Sequence, residues 1–187
     1  LNWKSSADNT EILSGMPLTF SDNITLTAQW RGNSLELADD GDNSIIIGMY
    51  DGEDNCTVTL KDRTLYKDGE WNTICLPFDV TLEGSPLEGA TAKTLVNATM
   101  TGAHVELNFG EAVTELSAGV PYIIKWDNDG SDNIFEPTFT DVTVVSSTVE
   151  ERTVSLAEGN VKFIGYYDAF PITADDDDIY YMTTGST

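Results

Sequence analysis

Apolar and polar residues alternate one by one along several short segments of this 187-residue chain. The clearest examples are residues 24–30, 105–109 and 153–156, in which every second residue is apolar. Successive side chains of a β-strand point to opposite faces of the sheet, so a period of two predicts strands with one buried face. A helical period of about 3.6 residues is not found in these segments.

Residues that favour turns separate the alternating segments. Clusters of Gly, Asn, Asp and Pro recur between the apolar runs, as an antiparallel all-β domain requires. The sequence predicts no helix beyond one short helical turn at 111–118. We therefore expect an all-β fold over residues 32–187, an antiparallel β-sandwich of jelly-roll-like or immunoglobulin-like type.

One β-hairpin can be predicted residue by residue around the dipeptide Asp68-Gly69. Asp-Gly is typical of a two-residue hairpin loop, because both central residues of a type I′ turn have positive φ. This turn would place Tyr66 opposite Trp71 and Thr64 opposite Thr73, and Trp71 is then interpreted as a cross-strand partner of Tyr66.

The two cysteines are predicted to remain unpaired and largely buried. If the segment 56–60 turns at Lys61-Asp62 and pairs with 63–67, Cys56 lies beside Lys67. Cys75 would then lie roughly 16 Å away, at about 3.3 Å per residue. A disulfide needs Cα atoms within about 7 Å of each other, so this arrangement disfavours a bridge.

The charge of the chain limits its partners. Asp and Glu number 32 against 9 Lys and Arg, which gives a formal net charge of −23. Such a chain repels phosphate backbones and anionic membranes, so we expect no nucleic-acid partner. No apolar run is long enough to span a membrane, and the start lacks the pattern of a signal peptide. We interpret both ends as boundaries within a longer protein.

Four acid-rich loops offer clusters of oxygen atoms, and calcium prefers oxygen ligands. The candidate calcium ligands are Asp127, Asp129 and Asp132, on a turn that contains Gly130. None of the loops follows the EF-hand order of ligands. Solvated turns rich in Asp, Asn and Gly are the interpretation we favour, and no other cofactor is expected. The four loops are 39–43, 51–55, 127–133 and 175–178.

Aromatic side chains are the candidate ligand-binding residues, because a flat ring can stack on a sugar. Trp126 stands where a strand is predicted to enter an acidic loop, and Tyr167 is the second candidate. Adjacent residues of a strand face opposite ways, so one of Tyr166 and Tyr167, and one of Tyr180 and Tyr181, is expected to face outward. The alternative interpretation is that these rings pack in the core.

Residue types suited to catalysis are scarce. A catalytic triad would have to use His104, the only histidine, and no G-x-S-x-G, P-loop or G-x-G-x-x-G motif is present. Zinc sites are built from Cys and His, of which the chain has three in all. A glycosidase pair of carboxylates cannot be selected among so many acids. We therefore predict no enzyme activity and no catalytic residues.

The first thirty residues resemble the end of a Listeria–Bacteroides repeat, a small β-rich module found in tandem in bacterial surface proteins. The resemblance rests on the closing strand Thr25-Leu26-Thr27-Ala28-Gln29-Trp30 and on Leu1-Asn2-Trp3. It implies a partial repeat at residues 1–31, followed by a separate module at 32–187.

The second module resembles modules of large secreted or surface proteins of Bacteroidota. The matching stretches are residues 64–78, 87–90, 118–126 and 161–165. This resemblance implies an extracellular or cell-surface location and no particular activity. We expect a non-catalytic module that serves adhesion or acts as a spacer, with a glycan or a host or cell-surface protein as partner. A carbohydrate-binding module is the alternative, and a glycosidase fragment comes after it.

Overall fold

The structure is a computed structural model that describes residues 2–5, 11–12, 25–29, 32–102, 104–128, 130–146, 149–157 and 159–167. For residues 2–4, 11–12 and 28–29 only the backbone is described. The chain divides into two compact units, 1–33 and 34–187. The boundary predicted between residues 31 and 32 lies close to this division.

The first unit contains one antiparallel sheet of three strands in the order β2-β1-β3. Its strands are β1 (Asn2–Ser5), β2 (Glu11–Ile12) and β3 (Leu26–Gln29). The strand β3 lies within the alternating segment 24–30, so the periodicity correctly predicts it. In the register, Trp3 lies opposite Ala28 and Ser5 opposite Leu26.

The second unit is also built almost entirely of β-strands, which confirms the predicted all-β, sandwich-like class. The described strands of this unit form six small sheets, and all but one of their pairs are antiparallel. The elements are β4 (Ser34–Ala38), α1 (Ser44–Met49), β5 (Cys56–Lys61), β6 (Thr64–Leu65), β7 (Asn72–Ile74), β8 (Val80–Thr81), β9 (Thr91–Lys93), β10 (Leu95–Thr101), β11 (His104–Phe109), β12 (Glu115–Leu116), β13 (Tyr122–Lys125), β14 (Ile134–Phe135), β15 (Thr138–Val142), β16 (Glu151–Leu156) and β17 (Gly159–Ile164).

A parallel pair and a helix depart from the prediction, and the two are connected. Strands β4 and β5 run parallel, from Ser34 opposite Thr57 to Ala38 opposite Lys61. Parallel neighbours need a crossover connection, and α1 lies within it. The helix has six residues, with Ile47 buried. Within the described ranges, no helix has the length and apolar character needed to cross a membrane.

The predicted hairpin at Asp68-Gly69 is wrong. Strand β6 pairs with β14, and β7 pairs with β13. Gly69 has a φ of +87°, but Asp68 is not among the residues of positive φ, so the turn is not type I′. The side chain of Asn72 replaces the backbone pairing that the hairpin would have made with Tyr66. Its Oδ1 accepts from Tyr66 N–H and its Nδ2 donates to Tyr66 O, both at 2.9 Å.

The prediction of unpaired cysteines is confirmed, although the arrangement from which we argued it is not. Neither cysteine forms a disulfide, and Cys56 is buried while Cys75 is partly buried. Strand β5 pairs with β4 and β15 and not with β6, so no tight hairpin forms at Lys61-Asp62. The helical turn expected at 111–118 is also absent, because Glu115–Leu116 pairs with β8 as a strand.

One contiguous hydrophobic core holds the second unit together. The rings of Phe78 and Phe139 meet near its middle, with centroids 5.2 Å apart. The sheet β7-β13-β9 turns one face toward this core, where Asn72, Ala92 and Ile124 are buried. The opposite face of the same sheet points away from the core.

Two antiparallel hairpins, β10-β11 and β16-β17, lie outside this core. The alternating segments 105–109 and 153–156 fall within them, so their strands are correctly predicted. Strand β16 contacts β10. The rings of Phe109 and Phe163 meet edge to face, with centroids 5.7 Å apart.

Candidate functional site

Trp126 is not the exposed platform that the sequence predicts. Its side chain is only 4% exposed and belongs to the hydrophobic core. The indole Nε1 donates to the carbonyl oxygen of Glu88 at 2.9 Å, and Lys67 Nζ lies 5.8 Å from the ring centroid. A buried ring with its polar atom satisfied offers no face on which a sugar could stack.

The side chains of the two tyrosines that follow β17 differ in exposure, as the alternation predicts, but the one that faces outward is Tyr166. Tyr166 is exposed, whereas Tyr167 is half-buried and packs against the core. The hydroxyl of Tyr167 donates to the carbonyl oxygen of Leu76 at 3.0 Å. The candidate ligand-binding residue Tyr167 is thus held in packing contacts. Tyr180 and Tyr181 lie outside the described residues.

Several acidic side chains of the loops stabilise the conformation of the loops through hydrogen bonds and ion pairs. Asp51 Oδ1 accepts from Ser146 N–H at 2.7 Å, and this hydrogen bond lowers the pKa of the Asp51 carboxyl. Asp54 Oδ1 accepts from the hydroxyl of Thr143 at 2.6 Å. Asp39 forms an ion pair with Arg63 at 3.0 Å. These carboxylates act as acceptors that close turns, which is the usual role of Asp in loops.

The predicted calcium ligands cannot be assembled from what is described. Asp127 and Asp132 are exposed, while Asp129 and the run 175–178 lie outside the described residues. Within the described part of the chain, no group of three or more His, Cys, Asp and Glu side chains could hold a metal ion. The calcium site therefore stays a prediction.

The face of the sheet β7-β13-β9 that points away from the core carries two short rows of side chains. The register places Lys125 opposite Thr91, and Ile123 between Thr73 and Lys93. Trp71 precedes β7 and lies beside Lys125, whose Nζ is 4.9 Å from the centroid of the indole ring. We call this side of the sheet the lysine–tryptophan face. Ile123 is buried on it, and its other side chains are half-buried, namely Trp71, Thr73, Thr91, Lys93 and Lys125.

Apolar side chains are exposed on the hairpin β10-β11. Met100 lies opposite Val105, and Ala98 opposite Leu107, so all four side chains point to the same side of the hairpin. Ala98 is buried, but Met100, Val105 and Leu107 are 39%, 45% and 46% exposed. We call Met100, Val105 and Leu107 the hairpin face.

His104 and Cys75 are the remaining candidates that the sequence offers. His104 is exposed at the first position of β11. Burial raises the pKa of the Cys75 thiol to about 12, with the hydroxyl of Tyr167 acting weakly in the other direction. A thiol of that pKa is protonated at neutral pH and is a poor nucleophile.

Sequence reasoning missed both surfaces, although signals for them exist. The alternation of 105–109 identified Val105 and Leu107 as one face of a strand, but it could not say whether another layer covers that face. Trp71 was assigned to Tyr66 because the Asp-Gly turn suggested the wrong partner strand. Comparison with protein-family models, curated proteins and solved structures found no match for this chain.

Proposed function

We propose that this chain is a non-catalytic module of a multidomain bacterial protein, located outside the cell or on its surface and acting in adhesion. The observation that supports binding is the hairpin face, where three large apolar side chains remain between a third and a half exposed. The location is supported by the resemblance to surface modules and by the acidic residues in exposed turns. A spacer role alone would not account for the exposed apolar side chains.

Covering the hairpin face with a partner would be favourable in free energy. Burial of apolar surface contributes roughly 25 cal/mol for each Å² removed from water. The opposite side of the same hairpin is polar at this point, since it carries Thr99 and Glu106. Contiguous exposed apolar patches are typical of interaction sites.

The partner most consistent with this surface is an extended, basic segment of another protein. Among the described strands, β11 pairs only with β10, so its outer edge has backbone groups available for a further strand. An added strand can combine backbone hydrogen bonds with alternate apolar side chains. The net charge of −23 opposes docking of a second copy and favours positively charged side chains on the partner.

The test uses two synthetic peptides, one alternating Val with Lys and one alternating Val with Glu. We expect the full chain to bind the Val/Lys peptide in isothermal titration calorimetry and not the Val/Glu peptide. Leu107→Thr should weaken binding about tenfold. Thr99→Ala, on the opposite side of the hairpin, should leave it unchanged.

Three outcomes would contradict the proposal. Equal binding by Leu107→Thr and the parent chain would mean that charge alone attracts the peptide. Tight binding of the Val/Glu peptide would exclude the assigned partner chemistry. A dimer that forms without peptide, and that Leu107→Thr abolishes in analytical ultracentrifugation, would assign the hairpin face to a second copy of the chain.

Carbohydrate binding is the second candidate function. Trp126 does not support it, because its ring is buried. Trp71 does, since its ring is half-buried on a sheet face that also presents lysine and threonine side chains. Trp71→Ala should abolish binding to a glycan array if this second function is correct.

A further inference from the structure

We propose that the lysine–tryptophan face binds a sugar that carries a carboxylate, of the uronic acid class. This site is distinct from the hairpin face and does not depend on the adhesion proposal. Its elements are one aromatic ring, two lysines that pair with no described carboxylate and two threonine side chains, all on one face of the sheet β7-β13-β9.

The strand register brings these side chains together. Lys125 lies opposite Thr91 on β9, and its ammonium group lies 4.9 Å from the centroid of the Trp71 ring. These three residues form one row across the three strands. Residues two apart on a strand share a face, so Thr73, Ile123 and Lys93 form the neighbouring row, about 7 Å along the strands.

Burial shows that this face is separate from the main core. Ile123 is only 2% exposed but does not belong to the core cluster, whereas Ile124 on the opposite side does. Trp71, Thr73, Thr91, Lys93 and Lys125 are all half-buried. Half-buried side chains on a sheet are held in place by their neighbours and still reach solvent, as a preorganised binding surface requires.

The charges on this face are unusual for so acidic a chain. Four described cations lie within 3.1 Å of a carboxylate oxygen, namely Lys61, Arg63, Arg152 and Lys162. Lys93 and Lys125 form no such pair with any described carboxylate. Because no described carboxylate forms an ion pair with either lysine, their charge is available to an external anion.

The side-chain groups on this face indicate which class of ligand it would bind. The indole ring supplies an apolar surface for the C–H groups of a sugar ring, and the threonine hydroxyls can donate to and accept from sugar hydroxyls. An ammonium group pairs with a carboxylate as a charge-assisted hydrogen bond. At physiological ionic strength charges are screened beyond about 8 Å. A small anion in contact with Lys125 therefore experiences mainly the local charge and little of the remaining −23.

The experiment titrates the full chain with trigalacturonate and, separately, with its fully methyl-esterified form, which keeps the rings and removes the charges. The readout is the indole N–H resonance of Trp71 in ¹H–¹⁵N NMR spectra, assigned with Trp71→Phe. We expect trigalacturonate to shift this resonance saturably and the ester to bind at least about tenfold more weakly.

The variants separate the site from general attraction between charges. Lys125→Gln should reduce the affinity for trigalacturonate about tenfold, and Trp71→Ala should reduce it further. Lys162→Gln is the matched control, because Lys162 pairs with Glu151 on a different hairpin, and it should leave the affinity unchanged. If Trp71→Ala does not fold, Lys125→Gln still decides the question, since its side chain forms no described ion pair.

The proposal is overturned if trigalacturonate leaves the Trp71 resonance unshifted up to about 10 mM, a concentration at which even a weak specific site is occupied. Equal affinities for acid and ester, or equal losses from Lys125→Gln and Lys162→Gln, would also overturn it. Malonate binding as tightly as trigalacturonate would overturn it too, because the face would then recognise the carboxylate without the sugar. None of these results bears on the hairpin face.

Discussion

Asn43 Nδ2 donates a hydrogen bond of 2.7 Å to the carbonyl oxygen of Tyr167. The two residues are separated by 124 positions in the sequence. The same buried side chain also donates to the carbonyl oxygen of Ala38 and accepts from the amide of Ala38, both at 2.9 Å. Asn43 thus ties together the end of β4, the start of α1 and the chain after β17.

Replacing Asn43 by Ala should reduce the free energy of unfolding by about 2–3 kcal/mol, because backbone groups of Ala38 and Tyr167 lose their partner at a partly buried position. Urea denaturation measures this loss. Asn160→Ala, on the exposed side of β17, is the control and should change stability by less than about 0.5 kcal/mol. Equal losses in the two variants would show that Asn43 is not a structural tie.

Asn72 makes a second connection of this kind over a shorter distance. Its amide pairs with both backbone groups of Tyr66, so Asn72→Leu should cost about 2–4 kcal/mol by leaving them unsatisfied. Leucine branches at the same carbon and is larger than asparagine, so the loss does not come from a cavity. Hydrogen exchange provides the local readout, since the Tyr66 amide should exchange faster than in the parent chain. Unchanged exchange at Tyr66 would contradict the assignment.

The fold class could be predicted because alternation is a local signal. Residues 105–109 and 153–156 alternate, and both form strands of the hairpins outside the core. Helix α1 could not be predicted, because the run Ile45-Ile46-Ile47 favours a strand by propensity. Only the parallel pairing of β4 with β5, which requires a crossover, explains why a helical turn lies there.

The sequence could not predict which strands pair with one another. The dipeptide Asp68-Gly69 indicated a hairpin. The side chain of Asn72 instead forms hydrogen bonds with the backbone of Tyr66, and β7 pairs with β13. Trp126 is buried in the hydrophobic core, and its indole donates to the carbonyl oxygen of Glu88, 38 residues earlier. Such distant contacts have no local pattern, so the site residues that depend on them were misassigned.

Asp62 tests the cost of a left-handed backbone. Its φ is +63°, and its amide donates to Glu136 Oε1 at 3.2 Å, a bond that any residue except proline keeps. Asp62→Gly should therefore stay within about 0.5 kcal/mol of the parent chain, whereas Asp62→Val should lose about 1–2 kcal/mol from steric strain. Thermal or urea unfolding of the two variants makes the comparison. Equal stabilities would mean that the turn relaxes to accept a β-branched residue.

Cys75 should make stability fall in alkaline solution. Burial raises the pKa of its thiol to about 12 in the folded chain, from an ordinary value of 9.0. The folded state therefore holds this proton more tightly than the unfolded state does. The resulting stabilisation is fully present below pH 9 and is lost as the pH rises toward about 12. Urea unfolding at a series of pH values should show this loss in the parent chain. Cys75→Ala should show a shallower decline, because its other titrating groups are unchanged. Identical slopes in the two chains would mean that the Cys75 thiol titrates normally in the folded state.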